Sequence, residues 1–250
     1  NEIISLEELF NDETSPPKPI VGPGILLDKT LCLIHGKPKS GKTFFATNMA
    51  LSIASGIDFL HFKVLNAKKV LYLSAEGGYY PNRERINKMN HYITRRKSVS
   101  DYPNNMFINL KSNYDLLDDS SLQEIKETID TYEIDVVFID PFIRFHSGEE
   151  NSAKDTTKTM KAVRELINDF DVSIVLVHHS GKDTSKGPRG SSVITSEYDS
   201  CIAINKKNNH QELSFDMRHV ETPKNENIRF NGESLWLSLI HISEPTRLGM

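Results

Sequence analysis

The sequence predicts an α/β fold with a mainly parallel, twisted sheet flanked by helices and an antiparallel β meander at its C-terminal end. Three observations support this prediction. Short apolar runs, typical of buried parallel strands, alternate with segments of helical periodicity between residues 31 and 177. A glycine-rich loop lies between the first of these runs and the first long helical segment. Residues 201–237 alternate like antiparallel strands.

The composition is that of an ordinary globular domain. With 250 residues, 38% of them hydrophobic, the chain can bury one good core. The formal net charge of -4 means that contact with nucleic acid must come from a local basic patch. Cys32 and Cys201 lie far apart in the sequence and form neither a metal-binding pair nor a disulfide framework. A reducing environment is therefore expected.

Localisation is predicted by elimination. The sequence has no apolar run near the roughly 18 residues that span a bilayer, and residues 1–25 lack the layout of a signal peptide. We therefore expect a cytoplasmic protein without membrane contact. Because the chain begins at Asn1 and not at Met, we also expect a fragment of a longer protein, with a primase or initiator domain as a possible partner outside it.

The first 19 residues are predicted to be a leader. An acidic stretch with one helical turn around Leu6 and Leu9 precedes residues 15–19, whose prolines fit neither a helix nor a central strand. The core domain is expected to cover residues 20–238. Its first two strands are predicted at residues 20–27 and 31–34.

The rest of the core alternates between strands and helices. Buried strands are predicted from apolar runs at residues 69–74, 135–140 and 173–177, and a further strand is predicted at residues 106–110. Helices are predicted from periodicity at residues 42–55, 81–96, 121–132 and 154–170. The third of these helices is expected to begin with a capping box, since Ser121 is followed three residues later by Glu124.

The C-terminal part is predicted to be a meander followed by a tail. The meander strands are expected at residues 201–204, 211–217 and 228–237. Residues 180–189 are almost free of apolar side chains and are expected to form a mobile loop before the meander. Residues 239–250 show no periodicity and are expected to be a non-native tail.

The glycine-rich loop carries the most specific motif. Residues 36–43 read G-K-P-K-S-G-K-T, which matches G-x-x-x-x-G-K-[ST] in the required strand, loop and helix context. Such a loop directs backbone N–H groups and a helix N-terminus at a polyphosphate. Lys42 would contact the β- and γ-phosphate oxygens, and the Thr43 hydroxyl would bind Mg²⁺. A glycine-rich turn with solvated lysines is the alternative interpretation.

ATP and Mg²⁺ are therefore the expected ligands. The predicted nucleotide-binding residues are the loop and the residue that follows it, namely Gly36, Lys37, Pro38, Lys39, Ser40, Gly41, Lys42, Thr43 and Phe44.

Further polar groups follow predicted strands. Glu76, Asp140 and the pair His178 and His179 each lie at the carboxyl end of a strand, where parallel sheets bind ligands. Asp140 is predicted to hold Mg²⁺ together with Thr43. Glu76 is predicted to act as general base toward a water that attacks the γ-phosphate. The alternatives are a strand-ending turn for Asp140, a solvated turn residue for Glu76 and a packing role for the histidines.

The order of these segments resembles that of RecA-like ATPases over about residues 20–237. The resemblance is carried by I-D-P-F-I-R-F-H at residues 139–146 with E-E-N at 149–151, by I-V-L-V-H-H-S at 174–180 and by R-G-S-S-V at 189–193. These stretches are most similar to the hexameric replicative helicases of broad-host-range plasmids, AAA-domain ATPases of mobile elements. The resemblance implies a homo-hexamer or other ring, with ATP between neighbouring subunits and translocation on single-stranded DNA.

The resemblance also implies roles for single residues. The loop with Lys42 matches the nucleotide loop of this family, and Glu76 matches its catalytic glutamate. Asp140 matches the aspartate on the magnesium side, and His179 matches the γ-phosphate sensor. Arg85, nine residues after Glu76, matches an active-site arginine.

One position departs from that family. Its helicases carry an arginine that acts on the ATP of a neighbouring subunit, and the aligned residue here is Asp199. Such an arginine stabilises charge on the transferred phosphoryl group, so its loss requires a substitute. Arg218, at the end of a late strand, is the first candidate catalytic substitute, and Arg189 is the second. A solvated strand-end arginine is the alternative interpretation of Arg218.

Contact with single-stranded DNA is expected in the loop at residues 180–189. Lys182, Lys186 and Arg189 would contact phosphates without distinguishing bases. Polar loops of this type are more often merely flexible, and this one has no aromatic residue for base stacking.

The leading hypothesis is Mg²⁺-dependent ATP hydrolysis by a RecA-like ring ATPase that acts as a DNA helicase or translocase in the replication of a plasmid, phage or other mobile element. A non-unwinding, DNA-associated regulatory or recombinase-like ATPase is an alternative that the sequence does not separate from a helicase. A small-molecule kinase with the same loop is a further alternative, although Glu76 and His179 fit it poorly.

Overall fold

A computed structural model of the chain describes residues 3–97, 103–111, 113–148, 152–179 and 192–240. The strands of this part are β1 (Pro19–Val21), β2 (Leu26–Leu27), β3 (Leu31–Gly36), β4 (Val70–Ser74), β5 (Met106–Asn109), β6 (Val136–Asp140), β7 (Ser173–His179), β8 (Ser200–Lys206), β9 (Gln211–Met217), β10 (Glu226–Phe230) and β11 (Leu237–Ile240). Its α-helices are α1 (Leu6–Phe10), α2 (Lys42–Ser55), α3 (Tyr79–Lys97), α4 (Asp119–Tyr132), α5 (Ala153–Phe170) and α6 (Ser192–Glu197), and a 3₁₀ turn covers Phe142–Phe145.

A nine-stranded sheet with β3 at its centre organises the domain. The strand order is β11-β10-β9-β8-β3-β7-β6-β4-β5. The six strands from β8 to β5 in this order run parallel to one another. β9, β10 and β11 extend the sheet beyond β8 as an antiparallel meander. The predicted α/β architecture is therefore confirmed.

Both faces of the parallel part are covered, because its strands are apolar on both sides. Cys32 and Ile34 of β3 belong to a core that includes the inner face of α2, whereas Leu31 and Leu33 belong to a second core with α4 and α5. All residues of β3 are buried. Burial on both faces removes the need for polar alternation, which explains why continuous apolar runs predicted these strands correctly.

The helix that follows the glycine-rich loop has the predicted bounds. α2 begins at Lys42 and ends at Ser55, where Gly56 adopts a left-handed conformation with φ of 63°. Asn48, fully buried on α2, accepts a hydrogen bond from the Leu237 N–H at 3.0 Å and donates to the Leu235 carbonyl at 3.1 Å. Its amide therefore joins this helix to the meander. Among the helices of the described residues, none is long and apolar enough to cross a membrane.

The prediction of one strand at residues 20–27 is wrong. This segment forms the separate antiparallel pair β1 and β2, with a turn through Pro23 between them. Because Pro23 has no N–H to donate to a ladder, the chain turns back instead of continuing as a strand. β3 is therefore the first strand of the main sheet.

The predicted capping box at Ser121 is also wrong. The N-cap of α4 is Asp118, whose carboxylate accepts a hydrogen bond from the Ser121 N–H at 2.8 Å. Glu124 does not return to the start of the helix, and its carboxylate accepts a hydrogen bond from the Tyr114 hydroxyl at 2.7 Å. A carboxylate caps a helix as well as a hydroxyl does, so the earlier residue takes the position.

The end of the meander differs from its prediction. Residues 228–237, expected as one strand, contribute to two strands, β10 and β11, which pair with each other through a turn. In this turn the side-chain oxygen of Asn231 accepts hydrogen bonds from the N–H groups of Glu233 and Ser234 at 3.0 and 2.9 Å. β11 continues to Ile240, two residues beyond the expected end of the core. The expected loop at residues 180–189 and residues 241–250 lie outside the described residues.

Candidate functional site

The carboxyl ends of β3, β4, β6 and β7 meet at one edge of the sheet. Gly36 at the end of β3 pairs with His179 of β7, and Ser74 at the end of β4 pairs with Asp140 at the end of β6. Glu76 follows Ser74 by two residues. Because the strands are parallel, these residues lie along the same edge as the loop that precedes α2.

Glycine is required at both ends of that loop. A Cβ at Gly36 would lie 2.5 Å from the carbonyl oxygen of Ile204 on the neighbouring strand. Gly41 has a φ of 94°, and a Cβ there would lie 2.6 Å from the Phe230 ring. Gly41 is also the N-cap of α2 and has no side chain to cap it. The N–H groups of the first turn of α2 therefore face the loop without a side-chain acceptor from the N-cap.

Lys42 is buried against the loop. Its Nζ donates hydrogen bonds to the carbonyl oxygens of Gly36 and Lys37, both at 2.9 Å. Burial lowers the pKa of Lys42 to about 8, while the negative charges of Asp140 and Glu76 oppose this shift. A buried ammonium held by neutral carbonyls gains Coulomb energy from an anionic ligand. The position of Lys42 is therefore suited to a phosphate.

Asp140 is buried and connects three elements. Its Oδ1 accepts a hydrogen bond from the Thr43 hydroxyl of α2 at 3.3 Å, and its Oδ2 accepts one from the Tyr72 hydroxyl of β4 at 2.6 Å. Burial raises the pKa of Asp140, the two hydrogen bonds oppose that shift, and the charge of Glu76 adds to it. The contact brings together a hydroxyl and a carboxylate, oxygen ligands that suit Mg²⁺.

Glu76 extends from the tip of β4 into solvent. Its side chain is 55% exposed, and its Oε1 lies 3.7 Å from the Nε of Arg144. The next two residues, Gly77 and Gly78, have φ values of 87° and 65°. The side-chain amide of Asn82 donates hydrogen bonds to the carbonyl oxygens of Glu76 and Gly78 at 2.9 and 2.8 Å. The backbone under Glu76 is thus fixed to α3, while its carboxylate is accessible to water.

Arg85 contacts both Asn82 and Phe44. The Arg85 guanidinium lies over the Phe44 ring, 4.9 Å from its centroid, and donates to the side-chain oxygen of Asn82 at 3.2 Å. Burial raises the pKa of Asp140, and the charge of Arg85 is one of the effects that oppose this shift. Phe44 also packs against Phe230 of β10, with 5.6 Å between ring centroids.

The histidines lie at two depths. His178 is buried and pairs in register with His35 of β3. Burial lowers the pKa of His35 to about 4, and the charge of Lys42 adds to the shift, so His35 is neutral at pH 7. His179 pairs with Gly36 and is half-buried at the edge of the sheet. The structure thus brings His179, and not His178, to the end of β7 beside the loop.

Arg218 lies at the opposite end of the parallel strands, near the amino end of β3. β9 runs antiparallel to β8, so Met217 at its end pairs with Ser200, which in turn pairs with Cys32 near the start of β3. The Arg218 guanidinium donates to the carbonyl oxygen of Ser196 at 2.7 Å. The structure does not bring Arg218 to the loop of its own chain, so a role at a nucleotide site would require a neighbouring subunit.

Asp199 has contacts that an arginine could not replace. Its carboxylate accepts hydrogen bonds from the Leu31 N–H at 2.8 Å and from Arg164 at 3.2 Å, and it lies 3.0 Å from a ring nitrogen of His219. Burial acts to raise the pKa of Asp199, but the hydrogen bonds and the charge of Arg164 outweigh it, so this pKa lies below its ordinary value. An arginine here would place two like charges side by side.

The predicted DNA-contacting residues Lys182, Lys186 and Arg189 lie outside the described residues, as does the segment E-E-N at residues 149–151. Within the described part of the chain, no group of three or more His, Cys, Asp or Glu residues is arranged to hold a metal ion. The contact between Thr43 and Asp140 offers two oxygen ligands, and a metal ion there would need water or phosphate oxygens for the rest.

Two residues of the site, Tyr72 and Asn82, were not predicted. Tyr72 lies inside the apolar run of β4, and a buried tyrosine hydroxyl requires a partner, which here is Asp140. Asn82 is buried in the first turns of α3, where it holds the Glu76 loop. A polar side chain at a buried position was the available signal for Tyr72, but its partner depends on the pairing of β4 with β6.

The residues of the loop fit ATP with Mg²⁺. Lys42 supplies a buried charge and α2 an N-terminus without a side-chain cap from Gly41. Within the described residues, the buried hydroxyl of Ser40 has no hydrogen-bond partner, as expected for a loop that receives a polar ligand.

Comparison with known proteins gives the family. The sequence profile of AAA_25, described as an AAA domain, matches residues 3–185, which is more than half of the chain. The chain belongs to this AAA domain family. It is a P-loop ATPase of this family, and the loop at residues 36–43 carries the motif that gives such ATPases their name.

Three solved structures share the fold of this AAA domain at low sequence identity. One of these structures is described as an ATPase domain and has a TM-score of 0.64 at 15% identity, with 86% of each chain covered. A DnaB-like replicative helicase, from a structure of its interactions with primase, has a TM-score of 0.64 at 15% identity, with 84% of this chain and 57% of that chain covered. The RadB recombinase has a TM-score of 0.62 at 16% identity, with coverages of 86% and 93%. The RecA-like fold is thereby confirmed, and at these identities the likeness shows the fold alone.

Replacing Tyr72 with phenylalanine tests the hydrogen bond that orients Asp140. Tyr72→Phe leaves one oxygen of a buried carboxylate without its partner, so we expect the free energy of unfolding to fall by about 1.5–3 kcal/mol. Urea unfolding at pH 7 measures the change. Tyr132→Phe, at a half-exposed ring on α4, is the matched control and is expected to stay within about 0.5 kcal/mol of the parent. Equal stability of the two variants would contradict this account of Asp140.

Proposed function

We propose that this AAA domain hydrolyses ATP in the presence of Mg²⁺ at the sheet edge formed by β3, β4, β6 and β7. The observation that supports the proposal best is the convergence of three groups on this edge. These are the buried ammonium of Lys42, the contact between Thr43 and Asp140, and the exposed carboxylate of Glu76. Each has a different chemical task in phosphoryl transfer.

Binding of the triphosphate is the task of the loop and α2. The backbone N–H groups of residues 36–43 would surround the β-phosphate, and the positive end of the α2 dipole adds attraction. Lys42 would exchange the carbonyl oxygens of Gly36 and Lys37 for phosphate oxygens, which are stronger acceptors because they are charged. Arg85 and Phe44 lie at the flank of the loop and would border the bound nucleotide.

Thr43 and Asp140 would hold Mg²⁺. The hydroxyl of Thr43 is the ligand that this loop motif provides, and the Asp140 carboxylate lies within hydrogen-bond distance of that hydroxyl. Asp140 would bind the metal either directly or through a water molecule. When bound, Mg²⁺ neutralises charge on the β- and γ-phosphate oxygens. The Tyr72 hydroxyl holds the other oxygen of Asp140 and so keeps its first oxygen directed at Thr43.

Hydrolysis would use Glu76 as general base. Its carboxylate accepts a proton from a water that attacks the γ-phosphorus, the bond from that phosphorus to the β–γ bridging oxygen breaks, and ADP and inorganic phosphate leave. Asn82 fixes the backbone of Glu76, so the base has a defined position. His179, beside Gly36 at the end of β7, would contact the γ-phosphate and report its loss. Arg85 would stabilise negative charge near Asp140.

The wider activity that we propose is that of a DNA helicase or translocase in the replication of a plasmid, phage or other mobile element. Support comes from the resemblance in sequence to hexameric helicases and from the shared fold with a DnaB-like replicative helicase. A homo-hexameric or other ring would place the Arg218 or Arg189 of a neighbouring subunit at each ATP. Lys182, Lys186 and Arg189 would contact single-stranded DNA, and a primase or initiator domain would be a partner outside this chain.

The division of labour between Lys42 and Glu76 gives a direct test of hydrolysis. Glu76→Gln keeps the shape of the side chain but cannot take a proton, so we expect ATP binding to persist and kcat to fall by about a hundredfold or more. Lys42→Ala should lose both binding and turnover. Glu84→Gln, at an exposed glutamate of α3 that pairs only with the adjacent Lys88 in the described contacts, is the matched control and should behave as the parent. Equal loss of binding and turnover in Glu76→Gln would remove Glu76 as the base.

The role of DNA is tested separately. ATP turnover and strand displacement are measured with and without single-stranded DNA over a series of salt concentrations, together with the mass of the assembly. We expect DNA to raise the turnover, the effect to weaken with salt, and the mass to be that of a ring. DNA-stimulated turnover without strand displacement would favour the regulatory or recombinase-like ATPase. Transfer of the phosphoryl group to a metabolite would favour the kinase.

A further inference from the structure

Arg144 lies beside the proposed general base but has no part in the proposed hydrolysis. It belongs to the 3₁₀ turn Phe142–Phe145, which follows Asp140 and the end of β6. The Nε of its guanidinium lies 3.7 Å from Oε1 of Glu76. The turn after β6 therefore brings a positive charge to the tip of β4, where the proposed chemistry would take place.

The backbone of Arg144 is fixed on both sides. Phe142 and Phe145 are fully buried in the core that the sheet shares with α4 and α5. The Arg144 N–H donates a hydrogen bond to the carbonyl oxygen of Pro141 at 3.0 Å, and the Phe145 carbonyl oxygen accepts one from the Leu116 N–H at 2.8 Å. Because its neighbours are anchored, the Arg144 side chain starts from a defined point at the edge of the sheet. Such anchoring lowers the entropy cost of placing a charge on a ligand.

The contact between Arg144 and Glu76 is easily exchanged. Its distance of 3.7 Å exceeds that of a hydrogen bond, and the two side chains are 64% and 55% exposed. Exposed ion pairs of this kind contribute little to stability. Among the described residues, the guanidinium of Arg144 makes no hydrogen bond, so its N–H donors are available to a stronger acceptor.

The charges at this end of the sheet favour a further cation near the terminal phosphate. The carboxylates of Asp140 and Glu76 both act on the buried ammonium of Lys42, and the charge of Glu76 adds to the raised pKa of Asp140. A terminal phosphate would bring more negative charge to this edge. Arg85 opposes the shift at Asp140, whereas Arg144 lies on the Glu76 side.

The departure at Asp199 leaves a catalytic task open. The helicases that this chain resembles carry an arginine there for the ATP of a neighbouring subunit, and Arg218 lies at the opposite end of the parallel strands. In other phosphoryl-transfer enzymes an arginine of this kind acts from within the same chain. Arg144 is an arginine of this chain at the correct end of the sheet.

We propose that Arg144 is a catalytic residue that acts on the ATP of its own subunit. When ATP binds, its guanidinium exchanges the Glu76 carboxylate for oxygens of the γ-phosphate, which carry more charge and accept two parallel hydrogen bonds. The exchange places positive charge on the transferred phosphoryl group and releases Glu76 for the attacking water. This inference rests on the proposed hydrolysis and adds a residue to the same site.

The affinities for ATP and ADP separate this role from a structural one. Arg144→Ala removes a contact with the γ-phosphate alone, so we expect the Kd of a slowly hydrolysed ATP analogue to rise by about tenfold or more. The Kd of ADP should stay unchanged. Calorimetric titration in the presence of Mg²⁺ measures both constants. Arg83→Ala, at an exposed arginine of α3 without a partner among the described residues, is the matched control and should bind both ligands as the parent does.

Turnover provides the second readout. We expect kcat of Arg144→Ala to fall by about a hundredfold or more, because the charge of the transferred group is no longer compensated. Arg144→Lys keeps the charge without the planar fork and should recover part of the loss. An unchanged kcat would overturn the proposal, and so would a higher kcat, which would mean that Arg144 only restrains Glu76. Equal weakening of the ATP analogue and ADP would also overturn it.

Mixed subunits test whether Arg144 acts within its own chain. Arg144→Ala and Lys42→Ala would damage the same site, so a mixture of the two variants should show no more turnover than the variants measured separately. Regained turnover would place Arg144 at the site of a neighbour and contradict the proposal. If the parent does not hydrolyse ATP, the proposed function fails, while the comparison of the ATP analogue with ADP still tests the contact between Arg144 and the γ-phosphate.

Discussion

The buried carboxylate of Asp140 is the constraint on which the site depends. A carboxylate in an apolar interior is costly unless both oxygens are hydrogen-bonded, and here they contact Thr43 and Tyr72. One contact reaches α2 and the other reaches β4, so the interaction connects the loop helix with the strand that ends two residues before Glu76. In the strand order β3-β7-β6-β4, Asp140 at the end of β6 lies next to β4 and two strands away from β3, which leads into the loop. The relative positions of the loop, of the proposed metal ligands Thr43 and Asp140 and of the proposed general base Glu76 follow from this arrangement.

The meander supports the loop from the other side. Phe230 lies against the position of a Cβ at Gly41 and packs on Phe44, while Asn48 joins α2 to the backbone of residues 235–237. The loop is therefore held between a polar contact at Asp140 and an aromatic contact at Phe230. Movement of the meander would therefore be transmitted to the loop through α2.

The features that could be predicted from the sequence are those set by local pattern. The loop motif is contained in eight residues, and the placement of Glu76, Asp140 and His179 at one edge follows from the general geometry of parallel sheets. The contact between Tyr72 and Asp140 could not be predicted in this way, because it depends on which strands are neighbours. The predicted cap of α4 was wrong for a different reason, since Asp118 and Ser121 are both of residue types that cap helices and the sequence pattern alone does not choose between them.

The most direct measurement of the central claim is a crystal structure with Mg²⁺ and a slowly hydrolysed ATP analogue. We expect the Nζ of Lys42 to leave the carbonyl oxygens of Gly36 and Lys37 and to lie about 3 Å from β- or γ-phosphate oxygens. The metal should contact the Thr43 hydroxyl and lie on the Asp140 side of the phosphates. A nucleotide bound elsewhere, with Lys42 still on the two carbonyl oxygens, would contradict the account.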